Sequence, residues 1–240
     1  MEITVLGKYG PFAKNGGSTS SYLVKGKSGY IMLDCGAGSV SKMLSMIDIN
    51  ELECVVLTHT HFDHASDILV LSYAVDFLRK DDPLAVYMPN DGSKLFNLVN
   101  DLDAFKVIPI REQCDIKYFF NDYNVKFFKM EHPVLTYGLT MECGDKVLGY
   151  TADTKMCKNA EDIAKCATFL IADGAFLEGD YTPNKPHMSV KQVCELSKKF
   201  GVKTLISHVG YNYTDLQVEQ EISNYDDLVE VAKENKTYQL

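Results

Sequence analysis

Several features that mark secreted and membrane proteins are missing from this sequence. The seven cysteines are scattered and odd in number, and no two form a C-x-x-C pair. A disulfide framework and a cysteine-built zinc site are therefore disfavoured. No apolar run approaches the roughly 18–20 residues that cross a bilayer, and the amino terminus resembles no export signal. We expect a cytoplasmic protein without a membrane partner.

Positive charge is also scarce. Lysine and arginine number 24 against 33 aspartates and glutamates, giving a net charge of −9, and no basic cluster offsets this balance. A large nucleic-acid surface requires such a cluster. Small molecules are therefore favoured over polymers as substrates.

The apolar pattern indicates an α/β protein. No repeat or linker interrupts the 240 residues, so we expect a single domain over 1–240. Strands are predicted at 2–7, 20–25, 29–34, 53–59, 84–89, 124–130, 135–143, 146–151, 168–173 and 203–208. Helices are predicted at 39–47, 66–80, 92–101, 159–166, 189–200 and 226–236. This mixture favours two sheets packed together with helices outside.

Three of the six histidines crowd into the segment "LTHTHFDHASD" (57–67), between a predicted strand and a predicted helix. In an extended segment His59 and His61 project from the same side, and Asp63 and His64 follow where the chain turns. Imidazole nitrogens and carboxylate oxygens are the ligands that Zn²⁺ and similar ions bind. A metal site beyond the strand end is favoured over three solvent-facing histidines on a loop.

The other three histidines occupy comparable positions. His132, His187 and His208 each stand at the end of a predicted strand or beside a turn rich in glycine and proline, and Asp153 ends the strand in "GYTADT". Taken one at a time, each histidine is also explained as a hydrogen-bonded residue without a metal, and Asp153 as a residue that caps a turn.

Together these residues resemble a known series. "THTHFDH" resembles the HxHxDH signature of the metallo-β-lactamase fold, and a later histidine, an aspartate in a "TADT" turn and a last histidine after a strand follow in order. The resemblance covers nearly the whole chain. It implies an αβ/βα four-layer sandwich, in which two mixed sheets pack face to face with helices outside.

The resemblance also implies a dinuclear metal centre. One ion is implied on His59, His61 and His132, the second on Asp63, His64 and His208, and a bridge between them at Asp153. Two such ions hold a bridging hydroxide for hydrolysis, and Asp63 is implied as a catalytic residue as well as a ligand. Zn²⁺ is expected ahead of Mn²⁺ or Fe²⁺, because the sites are rich in imidazole.

Within this superfamily the chain is similar to the ribonuclease Z branch. The segment "KPHMSVKQV" resembles one in which a histidine opens a helix, and "FLIADGAF" resembles a strand whose acidic residue pairs with that histidine. The resemblance implies His187 as the proton donor to the leaving group and Asp173 as its partner. The tRNA-processing enzymes carry glutamate where this chain has Asp173. Because the aspartate side chain is shorter, the sequence leaves open whether it reaches His187. The alternative is that His187 merely caps the helix starting near Ser189.

The substrate expected from this resemblance is small. Only 20 residues separate His132 from Asp153, where the tRNA-processing enzymes insert a long tRNA-gripping arm. tRNA is therefore disfavoured, and a phosphodiesterase acting on small phosphodiesters or cyclic nucleotides is expected. The alternatives are a thioester hydrolase of the glyoxalase II type, an arylsulfatase, and a metal-binding regulatory protein without turnover. Family likeness further implies a homodimer.

Overall fold

The first half of the chain, joined by the last strand, builds a seven-stranded mixed sheet. In a computed structural model, which describes residues 1–14, 16–80, 83–111, 118–120, 123–225 and 228–240, its strands are β1 (Glu2–Gly7), β3 (Ser21–Lys25), β4 (Tyr30–Leu33), β5 (Leu52–Val56), β6 (Leu84–Pro89), β7 (Phe105–Ile110) and β16 (Thr237–Gln239). The spatial order is β16-β1-β3-β4-β5-β6-β7. Strands β4 to β7 run parallel, whereas β16, β1, β3 and β4 pair antiparallel.

The second half builds another seven-stranded mixed sheet. Its strands are β8 (Tyr118–Phe120), β9 (Tyr123–Lys129), β10 (Tyr137–Cys143), β11 (Lys146–Tyr150), β12 (Phe169–Asp173), β13 (Lys203–Ser207) and β15 (Val229–Val231), in the order β15-β13-β12-β11-β10-β9-β8. The short strands β2 (Tyr9–Gly10) and β14 (Val209–Gly210) pair in parallel and connect the two halves.

Helices cover the outer face of each sheet. They are α1 (Ser39–Met46), α2 (Phe62–Ala65), α3 (Ile68–Leu78), α4 (Lys94–Asn100), α5 (Lys158–Cys166), α6 (Val190–Phe200) and α7 (Asp215–Ile222). Helices α1, α3 and α4 pack on the first sheet, and α5, α6 and α7 on the second. Within the described residues, no helix is long and apolar enough to cross a membrane.

The central core lies between the two sheets. Val5 and Ile31 of the first sheet and Leu139 and Ile171 of the second belong to one buried apolar cluster. Strand β12 is buried along its whole length, as expected for a strand covered on both faces. The predicted αβ/βα four-layer sandwich is confirmed.

One predicted helix is wrong. The segment 226–236, of which 226 and 227 lie outside the described residues, contains β15 instead, because Val229 and Val231 pair with β13 and are buried. Helix α7 was not predicted. It is largely polar, and only Val218 and Ile222 are buried on it, so its sequence shows little helical periodicity.

The sheet topology explains where the site forms. Strand β9 is antiparallel to β10, which is antiparallel to β11, so β9, β11, β12 and β13 all run in one direction. Their carboxyl ends therefore share one edge of the second sheet. The residues that end or follow these strands are His132, Asp153, Asp173 and His208. Strand β5 of the first sheet delivers His59 and His61 to the same edge.

Candidate metal centre

Three imidazole rings meet in the first part of the site. His59 Nε2 and His132 Nε2 each lie 3.1 Å from His61 Nδ1. Asp153 Oδ2 lies 3.6 Å from His59 Nε2 and 3.8 Å from His132 Nε2. These ring nitrogens converge on a single point, which suits a shared cation better than a set of mutual hydrogen bonds. The four residues form a group that could hold a metal ion.

A second group adjoins the first through Asp153. Asp153 Oδ1 lies 3.1 Å from His64 Nε2 and 3.2 Å from His208 Nδ1. Asp63 Oδ2 lies 3.8 Å from His208 Nε2 and 3.9 Å from His64 Nε2. The two oxygens of Asp153 therefore face different groups, and this second group could also hold a metal ion.

Asp153 Oδ1 shows that the side chains fit a cation. The atom is buried and accepts no hydrogen bond in the described part of the chain, although two ring nitrogens lie near it. An unsatisfied buried carboxylate oxygen is costly, and a bound cation removes that cost. The imidazole and carboxylate donors match those that divalent ions such as Zn²⁺ bind.

A buried aspartate outside the motif orients His64. Asp34 is fully buried at the end of β4, and His64 Nδ1 donates to its Oδ2 at 2.7 Å. The backbone N–H of Thr58 and the hydroxyl of Tyr150 also donate to Asp34, each at 2.7 Å. With a cation bound, this donation would leave the lone pair of His64 Nε2 facing the site. Sequence reasoning missed Asp34, although it ends a strand just as Asp153 does.

The electrostatics of the site favour the protonation states in which Asp153 and His59 can bind a metal ion. Burial raises the pKa of Asp153, but the electrostatic interaction with His208 and His64 outweighs it and holds that pKa well below the usual range. Burial and the nearby charge of His64 hold the pKa of His59 well below its ordinary value. Asp153 is therefore a carboxylate, and His59 is neutral with a lone pair available.

Asp173 reaches His187 despite its short side chain. His187 Nδ1 donates to Asp173 Oδ2 at 2.7 Å, and the ring of His187 stacks on that of His208 with centroids 4.8 Å apart. Burial lowers the pKa of His187, but the charge and hydrogen bond of Asp173 outweigh it and raise the pKa to about 9. The capping alternative is wrong, because Ser189 caps α6 by accepting from the N–H of Gln192.

These groups border one cavity of about 610 Å³, a volume ordinary for a site that takes a small ligand. His61, Asp63, His132, Asp153, His187 and His208 line it. The structure thus brings together every site residue predicted from the sequence, with His59 and His64 buried behind the cavity. No lysine or arginine is found among the described residues that line it.

Asp34→Asn is expected to weaken metal binding about 10- to 100-fold, because a neutral amide orients the His64 ring less firmly. Competition with a chromogenic chelator measures the affinity, and thermal denaturation checks that the variant folds. Asp48→Asn, at an exposed position in the helix-capping turn before β5, is the control and should bind metal as the native chain does. Unchanged affinity in Asp34→Asn would remove Asp34 from this role.

Comparison with known proteins places this site in a family. The model of a protein family described as "Anti-Pycsar protein Apyc1" matches residues 1–238. The probable metallo-hydrolase YhfI of Bacillus subtilis (strain 168) is 28% identical over 216 residues, which cover 88% of each chain. The crystal structure of YhfI, a metallo-β-lactamase fold protein, matches with a TM-score of 0.92 and 24% identity over 99% of both chains.

More distant relatives share the fold. A ribonuclease Z of Methanosarcina mazei is 24% identical over 281 aligned residues, covering 90% of this chain and 89% of the relative. Unliganded yeast PDE1 matches with a TM-score of 0.78 and 15% identity over 98% of both chains. The predicted metallo-β-lactamase fold and the resemblance to the ribonuclease Z branch are confirmed.

Proposed function

The chain belongs to the Anti-Pycsar protein Apyc1 family, and from this premise we propose that it is a metal-dependent hydrolase of small phosphodiesters, cyclic nucleotides among them. One observation carries the proposal. Two groups of histidine and aspartate side chains share Asp153, and the His187–Asp173 pair lies beside them on the same cavity. This arrangement provides both a place for cations and a proton donor, which phosphodiester hydrolysis requires.

Seven side chains would hold the two ions. We assign His59, His61 and His132 to one ion, Asp63, His64 and His208 to a second, and Asp153 to both. When bound, two divalent ions, Zn²⁺ ahead of Mn²⁺ or Fe²⁺, supply a nucleophile from water at neutral pH and neutralise charge on the phosphoryl oxygens.

Proton transfer to the leaving group is assigned to side chains beside the cavity. His187 donates a proton from its Nε2 to the departing oxygen, since its Nδ1 is held by Asp173. Asp173 keeps the ring in this orientation and favours its charged form. Asp63 lines the cavity, and we assign it to catalysis as well as to the second group.

The cavity and surface favour a small substrate over tRNA. The stretch between His132 and Asp153 is filled by a short loop and the hairpin of β10 and β11, which leaves no arm at this position. The net charge is −9, and the described cavity lining contains no lysine or arginine. Polymeric nucleic acids need several phosphate contacts that these surfaces do not provide.

We expect weak binding to precursor tRNA and little dependence of that binding on salt. Each phosphate contact releases condensed counterions, so a protein with few contacts shows a shallow slope of log affinity against log salt concentration. Filter binding at several salt concentrations measures this slope, and gel analysis of precursor tRNA measures cleavage. Efficient cleavage of precursor tRNA by the isolated chain would contradict the proposed substrate class.

A parallel assay tests the proposed function. Metal-loaded protein is given an aryl phosphodiester, a set of 3′,5′-cyclic nucleotides, a glutathione thioester and an aryl sulfate, and each rate is repeated after removal of metal with a chelator. We expect chelator-sensitive turnover of the phosphodiesters. Faster turnover of the thioester would support a glyoxalase II type, faster turnover of the sulfate an arylsulfatase, and no turnover at all a metal-binding regulatory protein.

We propose that a second copy of this chain covers an apolar surface next to the site. Phe62, Tyr73 and Phe77, on α2 and α3, expose 73%, 68% and 79% of their surface, and Val70 and Leu78 of α3 are also exposed. Val70, Tyr73 and Phe77 follow at helical spacing and so share one face of α3, and an exposed apolar face of this kind marks an interaction surface. The resemblance to the ribonuclease Z branch, which implies a homodimer, supports a second copy as the occupant.

Phe77→Glu is expected to convert a dimer into a monomer, because the new charge would be buried in the interface. Sedimentation equilibrium measures the mass, which should be twice that of one chain for the native protein. Leu216→Glu, at an exposed apolar position on α7, is the control and should stay dimeric. A monomeric native chain would contradict this proposal.

A further inference from the structure

One wall of the cavity is aromatic. Phe176 and Tyr211 both line it, as does His187. The segments that carry them touch, because a Cβ placed on Gly210 would lie only 2.8 Å from the carbonyl oxygen of Ala175. The two rings therefore extend from neighbouring segments of backbone.

Phe176 is held in place on several sides. The N–H of Val190 donates to the carbonyl oxygen of Phe176 at 2.8 Å, which joins the segment to the start of α6. The Lys185 ammonium lies 4.5 Å from the centre of the Phe176 ring, a cation–π contact. Lys185 is not among the described residues that line the cavity, whereas Phe176 is.

The position of the ring suits a group attached to the reacting phosphate. The centroid of the Phe176 ring lies 6.0 Å from that of His187, the proposed proton donor. A cavity of about 610 Å³ accommodates more than a phosphate alone. Within the described lining, the residues outside the metal groups and His187 are glycine, alanine, proline and aromatic residues, with Asn212 as the one amide.

We propose that Phe176, with the Lys185 ammonium over its ring, is the platform on which the planar group of the substrate stacks, and that it determines specificity for phosphodiesters that carry a nucleobase or an aryl group. This proposal rests on the proposed function of the same site. Stacking is tolerant of base identity because every base has a π face. The native enzyme should therefore accept purine and pyrimidine cyclic nucleotides with similar KM values.

The test compares two substrates that differ only in the planar group. One is a nucleoside 3′,5′-cyclic monophosphate, and the other is the same cyclic phosphate with a methoxy group in place of the base. Phe176→Ala and Phe176→Leu should raise KM for the nucleotide about tenfold, as expected for the loss of one stacked ring. Their kcat and the KM for the base-free substrate should stay within twofold of the native values.

Phe200→Ala is the matched control. Phe200 ends α6 with the Lys199 ammonium 5.2 Å from its ring centre, but it lies outside the residues that line the cavity. Both KM values should be unchanged in this variant. Equal changes for the two substrates, or no change, in Phe176→Leu would overturn the proposal.

A binding measurement separates this proposal from the proposed function. Calorimetry compares a nucleoside 5′-monophosphate with ribose 5-phosphate on native protein and on Phe176→Leu. If the native protein turns over neither cyclic substrate, the proposed function fails. The platform is still supported if only the nucleotide binds about tenfold more weakly to the variant, and it is overturned if both ligands bind to the two proteins alike.

Discussion

His187→Ala is expected to lower the turnover of a phosphodiester with a poor leaving group by about 10²- to 10⁴-fold while metal content and fold are retained. The departing alkoxide needs a proton, and His187 is held by Asp173 beside the metal groups to supply it. An activated nitrophenolate departs without protonation, so its rate should change least. Steady-state rates across a series of leaving groups measure this difference.

The companion variant Asp173→Asn should show a weaker form of the same pattern. It removes the charge that keeps the His187 ring protonated, although the amide oxygen can still accept from Nδ1. An equal loss of rate for all leaving groups would contradict the role of His187 as the acid. Loss of metal in His187→Ala would instead assign the ring to the metal groups.

Asp153→Ala is expected to abolish turnover, by at least about 10³-fold, and to lower metal content. Asp153 is the one carboxylate that both groups share, so its removal takes a donor from each of them. The charge stabilisation that two ions give the reacting phosphate is worth several kcal/mol, which corresponds to this loss of rate. Elemental analysis and the phosphodiester assay measure the two effects.

Asp153→Asn keeps the size of the side chain and tests its charge. Asp162→Asn, on the exposed face of α5, is the control for loss of one carboxylate and should retain metal and activity. Circular dichroism checks that each variant folds. Full metal content in both Asp153 variants would show that this aspartate does not bridge the groups.

Much of the fold was predictable because strand ends are visible in the sequence. Each of the ten predicted strands overlaps a strand of the structure, and His132, Asp153 and His208 follow β9, β11 and β13. His132, Asp153 and His208 meet because parallel strands bring their carboxyl ends to one edge. Asp34 also follows a strand. However, no feature of the neighbouring sequence distinguishes an aspartate that orients a metal-binding histidine from one that caps a turn.

The contact between Asp173 and His187 could not be predicted from local pattern. It depends on how the segment between β12 and α6 folds back, and on the pairing of Asp173 with Ser207 across β12 and β13. Tertiary pairing also decided the segment around β15, where burial of Val229 and Val231 against the sheet outweighed the helical tendency of the sequence.

The most direct test of the account is the metal content of the purified chain. Elemental analysis of protein supplemented with Zn²⁺, Mn²⁺ or Fe²⁺ and freed of excess metal should give two divalent ions per chain, with zinc retained best. His61→Ala should lower this content, because it removes the ring on which His59 and His132 converge. Less than one ion per native chain, or unchanged content in His61→Ala, would contradict the assignment of this site as a dinuclear metal centre.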